Sequence, residues 1–343
     1  MKMKAAMLHE PKKLVTELVD IPVPSDEELL VRIKATAICG TDLAIYLGQI
    51  PAKYYPIPLG HEGVGIVEDM GKDVTGFEKG DHVIFVPAYF CGSCFYCAQG
   101  LTNICEKAAL MGLARGGCFA EYAVVPARAA VKMPKDISWE DGSTIQSLAT
   151  VINAWELLEK AGPPKKGEVI VIIGVATPGL FFTRLAVMSG ATVYACSRSQ
   201  WKLDLAKAAG AIPVNAKEED LVQVVRDATN GRGADYVIEA AGVAATLQQA
   251  IDVARPGGTI LAFGILKDLA GVNGYNLYFK QLTLLGCRAM TVPSYERSIQ
   301  LVQAGEFDMK SIITDRFTLD EVKENFDAMD KDPGAHSRMV CFM

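Results

Sequence analysis

The sequence predicts an α/β protein in which a small β-rich domain precedes a doubly wound parallel sheet. Three observations carry this prediction. The chain has 343 residues, more than one small core needs and enough for about two domains. Residues 1 to about 135 read as short apolar segments broken by Gly and Pro, the rhythm of a β-barrel or sandwich. From residue 168 onward, apolar strands alternate with helix-spaced segments. That is the pattern of strands buried on both faces, with crossover helices between them.

In the first part, the predicted strands cover residues 29–37, 63–70, 82–86 and 120–125. A cysteine-rich loop interrupts them between the third and the fourth. In the second part, EVIVIIG (168–174) is an apolar run closing on Gly, and PGLFFTRLAVMSG (178–190) follows at helical spacing. TVYACS (192–197) and QWKLDLAKAAG (200–210) repeat the strand–helix pair. DYVIEAAG (235–242), VAATLQQAIDVARPGG (243–258) and GTILAFG (258–264) continue the series. Residues 290–343 mix helix and strand signals and end in MVCFM, a run expected to return to the first domain. There is no internal repeat, low-complexity tract or long linker.

Composition excludes several classes of function. Half of the residues are hydrophobic, yet charges are scattered throughout and no long uncharged apolar run appears, so no membrane span is expected. A net charge of −6 without any basic block argues against nucleic acid as a partner. Nine cysteines, with no apolar signal segment behind the MKMK start, fit a reducing cytoplasmic setting where thiols bind metal.

Cys91, Cys94, Cys97 and Cys105 form the pattern C-x2-C-x2-C-x7-C. Thiolates at this density in one loop can ring a zinc ion tetrahedrally. A disulfide cluster would need an oxidising compartment, and unrelated core thiols would not fall at such regular spacing. Structural zinc is the expectation. A second constellation follows the apolar run LLVRIKATAI: Cys39-Gly40-Thr41-Asp42, then Gly60-His61-Glu62-Gly63-Val64-Gly65 after YYPIPLG. Singly, Cys39 reads as a small buried hydrophobe and His61-Glu62 as an exposed hydrogen-bonded pair. Together, in a chain with a zinc lobe, a thiolate, an imidazole and a carboxylate make a mixed ligand set that leaves a coordination position open. Such a site polarises a bound alcohol. His9, His82 and His336 lack ligand-like spacing, and Cys118, Cys196, Cys287 and Cys341 read as core thiols.

These motifs occur in one order, and in it the chain resembles the zinc-containing medium-chain alcohol and polyol dehydrogenases nearly end to end. The family includes sorbitol, threonine and glucose dehydrogenases. The resemblance implies a GroES-like catalytic domain over residues 1–150, with the structural zinc lobe at 91–105. A Rossmann domain over 151–287 and a return segment of the catalytic domain over 288–343 complete the plan. It implies that Cys39 and His61 hold catalytic zinc, with Glu62 as a ligand or an exchanging partner. The family places Cys, Asp or Glu as a further ligand where this chain has Gln146, and some of its sugar dehydrogenases use Gln there. The competing reading of Gln146 is a polar residue at a helix start. Thr41 matches the residue that accepts the alcohol proton. Ala44 stands where many relatives have a relaying His, and alanine cannot relay a proton.

Gly174-Val175-Ala176-Thr177-Pro178-Gly179 stands where relatives show G-x-G-x-x-G, with strand before and helix after. Ala176 replaces the middle Gly, which normally lets the pyrophosphate approach the backbone, and Pro178 is tolerated near the helix start. NAD-dependent enzymes carry an acidic residue at the end of the next strand. Ser197 and Arg198 stand there instead, with Lys202 one turn on, and a guanidinium suits a 2′-phosphate. NADP is therefore expected over NAD. Gly242 and Gly264 end sheet strands and are expected to flank the nicotinamide, while Arg338 matches a family pyrophosphate contact. The expected chemistry is hydride transfer between a secondary alcohol, polyol or sugar and NADP, in a homotetramer or dimer. A zinc-independent NADPH reductase and a non-catalytic NADPH-binding protein are the alternatives.

Overall fold

The strand Glu28–Ala37 (ELLVRIKATA) loses the in–out alternation of an exposed sheet because neighbours and cover surround it. It pairs antiparallel with Glu62–Met70, with Tyr122–Pro126 and with the C-terminal strand Arg338–Phe342. His82–Phe85 and Ala130–Lys132 extend this seven-stranded sheet on one side, and Ile313–Thr318 on the other. A separate three-stranded sheet joins Lys13–Asp20, Lys2–Glu10 and Ile57–Pro58. Between these layers Leu8, Ile38, Ile45, Tyr46, Ile57, Phe119 and Phe326 are buried. Each such side chain contributes about 1.5–3 kcal/mol relative to exposure. The strand expected at 120–125 is shifted to Tyr122–Pro126. The shift arises because Phe119 and Ala120 are already engaged with the N-terminal strand: Ala6 N–H donates to the Phe119 carbonyl (2.8 Å), and Ala5 bridges Ala120.

This computed structural model describes residues 1–343 and contains two units, Met1–Ala149 with Ala289–Met343, and Thr150–Arg288. In the second, six strands run parallel: Val169–Ile173, Thr192–Ser197, Ile212–Asn215, Ala234–Glu239, Ala254–Ala262 and Thr283–Gly286. Their spatial order is third, second, first, fourth, fifth, sixth. Every residue of the first and fourth strands is buried, as helices covering both faces require. The order reverses between these two strands, where Ile173 pairs with Glu239, so the switch point lies at their carboxyl ends. No helix is long and apolar enough to cross a membrane.

Candidate active site and metal centres

Strand register assembles the first site. Ala37 pairs with Glu62, so the chain leaving one strand at Ile38-Cys39 lies beside the chain entering the other at His61. The helix Gly40–Tyr46 starts at once, with Cys39 as its N-cap. Its Asp42 carboxylate takes the Cys39 N–H (3.1 Å) and, through its other oxygen, approaches His61 Nδ1 at 2.7 Å. Asp42 is fully buried and His61 nearly so. Burial, the largest single influence, would lower the His61 pKa, but the Asp42 carboxylate and the Cys39 thiol together outweigh it and the net shift is upward. A carboxylate on Nδ1 leaves Nε2 as the ligating nitrogen, the usual arrangement behind a metal-bound imidazole. The ligand atoms of Cys39, His61 and Glu62 all lie within 4.8 Å of one another. Thiolate, imidazole and carboxylate at this separation fit a zinc ion.

Glu62 has a second partner. Arg338, buried, forms an ion pair with it and also donates to the Ser143 carbonyl at 3.3 Å. This placement of Arg338, behind the ligand cluster, is what the structure gives for a residue that sequence reasoning set against a pyrophosphate. Ser143 lies on the helix Trp139–Ala161, and Gln146, three residues on and buried, shares its face. Thr41 is half-buried, and its hydroxyl makes no hydrogen bond within the protein, which leaves it for a ligand. Beneath the cluster, Tyr295 is fully buried and donates to the Phe85 carbonyl (3.0 Å). Burial first, then the Glu62 charge, holds its pKa well above the usual range. Sequence reasoning assigned no role to Asp42 or Tyr295. Only Asp42 carried a signal, a carboxylate three residues beyond a helix N-cap.

The four-cysteine lobe closes on itself. Cys91 and Cys105 Sγ are 3.6 Å apart, Cys94 and Cys105 3.9 Å, and Cys91 and Cys97 4.0 Å. A tetrahedral zinc–thiolate centre needs S···S separations of about 3.8 Å. The Ser93 and Cys94 N–H groups bring the Cys91 pKa down to about 6, whereas desolvation and then the neighbouring thiols push Cys97 up to about 12. A cation there takes the place of the protons.

In the second unit, Gly174 adopts φ +96° at the end of the first strand, and the helix Thr177–Met188 starts after Ala176. A Cβ on Gly179 would overlap the Gly174 carbonyl, so glycine is required where helix meets strand. Ala176 is exposed, Pro178 lies in the first helical turn, and Thr177 is buried beside it. The helix N-terminus with its free N–H groups suits a pyrophosphate. Ser197 Oγ accepts the Ser199 N–H (3.2 Å) at the end of the second strand. Arg198 beyond it is exposed and makes no ion pair, while the Lys202 ammonium lies over the Trp201 ring (5.1 Å). Gly242 and Gly264 meet at the ends of the fourth and fifth strands, where a Cβ on Gly264 would overlap the Gly242 N–H.

A doubly wound cofactor domain joined to a β-rich unit with two zinc-ligand clusters defines a zinc-containing, NAD(P)-dependent medium-chain dehydrogenase, and the chain belongs to that family. Residues 25–135 match the alcohol dehydrogenase GroES-like domain, and residues 179–304 match the zinc-binding dehydrogenase domain. The chain is 34% identical to L-threonine 3-dehydrogenase of Pyrococcus furiosus over 96% of its own length and 95% of that enzyme's. A putative zinc-binding dehydrogenase from Sinorhizobium meliloti, solved bound to NADP, superposes with a TM-score of 0.89. It is 30% identical, with 100% of both chains covered. Galactitol-1-phosphate dehydrogenase from Escherichia coli gives a TM-score of 0.91 at 27% identity, covering 99% of this chain and 100% of that one.

Proposed function

We propose that this protein transfers hydride between a secondary hydroxyl of an alcohol, polyol or sugar and NADP, using zinc held by Cys39 and His61. The observation that carries the reading is the Cys39–His61–Glu62 cluster with Asp42 locked on the imidazole. When bound, zinc supplies Lewis acidity and the nicotinamide accepts or gives the hydride. The chain's own residues do the rest. Asp42 fixes the His61 tautomer, Arg338 holds Glu62, and Gln146 is the remaining ligand candidate. The Thr41 hydroxyl, unpartnered in the protein, accepts the substrate's hydrogen bond and passes the proton outward, since Ala44 cannot. Threonine oxidised at its third carbon and galactitol phosphate, the substrates named for two relatives, both carry secondary hydroxyls, which supports that substrate class.

The unpaired Arg198, with no carboxylate at Ser197, supports NADP over NAD. Charge-assisted hydrogen bonds to a phosphate contribute about 1.5–3 kcal/mol. Arg198→Ala is therefore expected to lower the NADP/NAD ratio of kcat/KM about 10- to 100-fold, chiefly through KM for NADP. An unchanged ratio removes Arg198 from the 2′-phosphate site.

The sixth strand, Thr283–Gly286, is an edge with Leu284 46% exposed. Beside it in sequence, Tyr275, Tyr278 and Phe279 are 61–80% exposed, with the Tyr275 and Phe279 rings stacked at 4.1 Å. An open edge with exposed aromatics seeks a partner, and a second copy of this chain fits it. Light scattering is expected to give a dimer or tetramer, and Leu284→Lys to shift it toward the 36.9 kDa monomer. A monomeric native protein contradicts this. The free thiols of the two ligand sets support a reducing compartment, the cytoplasm, as the proposed location.

A further inference from the structure

Glu239 is the last residue of the fourth parallel strand and is fully buried. It pairs with Ile173, the last residue of the first strand, and so stands at the switch point of the sheet. Its two carboxylate oxygens are treated unequally. Oε1 accepts three hydrogen bonds, from Ala241 N–H (2.8 Å), Gly242 N–H (2.9 Å) and the Thr246 hydroxyl (2.7 Å). Oε2 is buried and accepts none. It faces the end of the fifth strand, since a Cβ built on Gly264 would fall 2.7 Å from it.

Three donors converging on one oxygen match an anion, and turn formation alone explains Oε1. Nothing within the protein explains why the second oxygen stays unpaired, a state that costs free energy in a buried group. Ligands of a doubly wound sheet collect outside the strand ends at this switch point. The two redox forms of the cofactor differ there by one unit of charge, because the oxidised nicotinamide ring is cationic and the reduced ring is neutral. A carboxylate in a poorly screened interior acts on that difference over several ångströms without touching the ring.

We propose that Glu239 sets the cofactor's redox preference: its half-unpaired carboxylate at the switch point holds the oxidised, cationic nicotinamide in preference to the reduced one. The inference rests on the cofactor reading of the second unit. It assigns the charge a task distinct from the shape of the Ala240–Gly242 turn, which Oε1 alone maintains. Glu239→Gln keeps an oxygen for the three donors and removes the charge.

The test is a pair of dissociation constants, for NADP⁺ and for NADPH, measured by calorimetry on the zinc-loaded native protein and on E239Q. The expected result is that the constant for NADP⁺ rises about tenfold in E239Q while that for NADPH changes less than twofold. Equal changes in both constants would show a structural role only and overturn the proposal, as would two unchanged constants. If E239Q fails to fold, Thr246→Val gives the reading in the opposite direction. It strips one donor from Oε1, leaves the charge less compensated, and is expected to lower the NADP⁺/NADPH ratio of dissociation constants about two- to threefold. A ratio unmoved in that variant overturns the proposal as well. Native protein that binds neither form would refute the cofactor reading itself, a different result from an unmoved ratio.

Discussion

His61→Ala is expected to lower kcat/KM by about 10³-fold or more and to remove one zinc per chain. Lewis-acid stabilisation of a developing alkoxide is worth several kcal/mol, and each 1.36 kcal/mol is tenfold in rate. The cluster offers no substitute for the lost nitrogen, since Glu62 is already paired with Arg338. Cys39→Ser should behave alike, because a hydroxyl is a poor replacement for a thiolate on zinc. Asp42→Asn is the graded case. The amide still reaches His61 Nδ1 but loses the charge that orients and polarises the ring, and about 10- to 100-fold in zinc affinity or turnover is expected to go with it. Metal content after dialysis, read beside turnover, separates the two effects. Turnover within tenfold of native in His61→Ala would remove this cluster from the chemistry.

Cys105→Ser is expected to act on stability. The lobe it closes contains only the short helix Phe95–Ala98, with no buried residue, and the 3₁₀ turn Thr102–Ile104. Segments this short do not hold their own conformation in water. Cys105 is the buried member of the cluster and receives N–H groups from Cys91 and Lys107, each at 3.4 Å. With a serine there the lobe loses its ion and opens. The melting temperature should fall by about 5–10 °C, the shift corresponding to a few kcal/mol in a unit of this size. Limited proteolysis should then cut between residues 91 and 105. A melting temperature within about 1 °C of native, with the lobe uncut, would mean that the four thiols bind no structural ion.

Much of this architecture is legible in the sequence because its signals are local. Doubly buried strands such as VIVII announce a parallel sheet by losing their alternation, and the cysteine spacing announces the lobe through residue type alone. The strand expected at 29–37 is Glu28–Ala37, since its apolar run without Gly or Pro has clear ends, whereas the two strands before it, Lys2–Glu10 and Lys13–Asp20, are absent from the expected set. What escaped depends on contacts distant in sequence. Arg338 meets Glu62 across 276 residues, and no spacing rule foretells a pairing made when the last strand returns beside Glu28–Ala37. Asp42 was visible as a residue but not as a partner of His61, because that contact depends on the register of two strands. The unequal oxygens of Glu239 depend on how the turn after it folds back, and a sequence shows only an acidic residue in an apolar run. Gln146 lies between these cases. Its position follows from resemblance, and the structure buries it one turn from Ser143 on the helix face that Arg338 contacts.

The most direct test of the account is the zinc content of native protein purified without added metal or chelator, read by elemental mass spectrometry. The account predicts two zinc ions per chain, one in the cysteine lobe and one held by Cys39 and His61. A single zinc, retained in His61→Ala and lost in Cys105→Ser, would contradict it by leaving the Cys39–His61–Glu62 cluster without its metal.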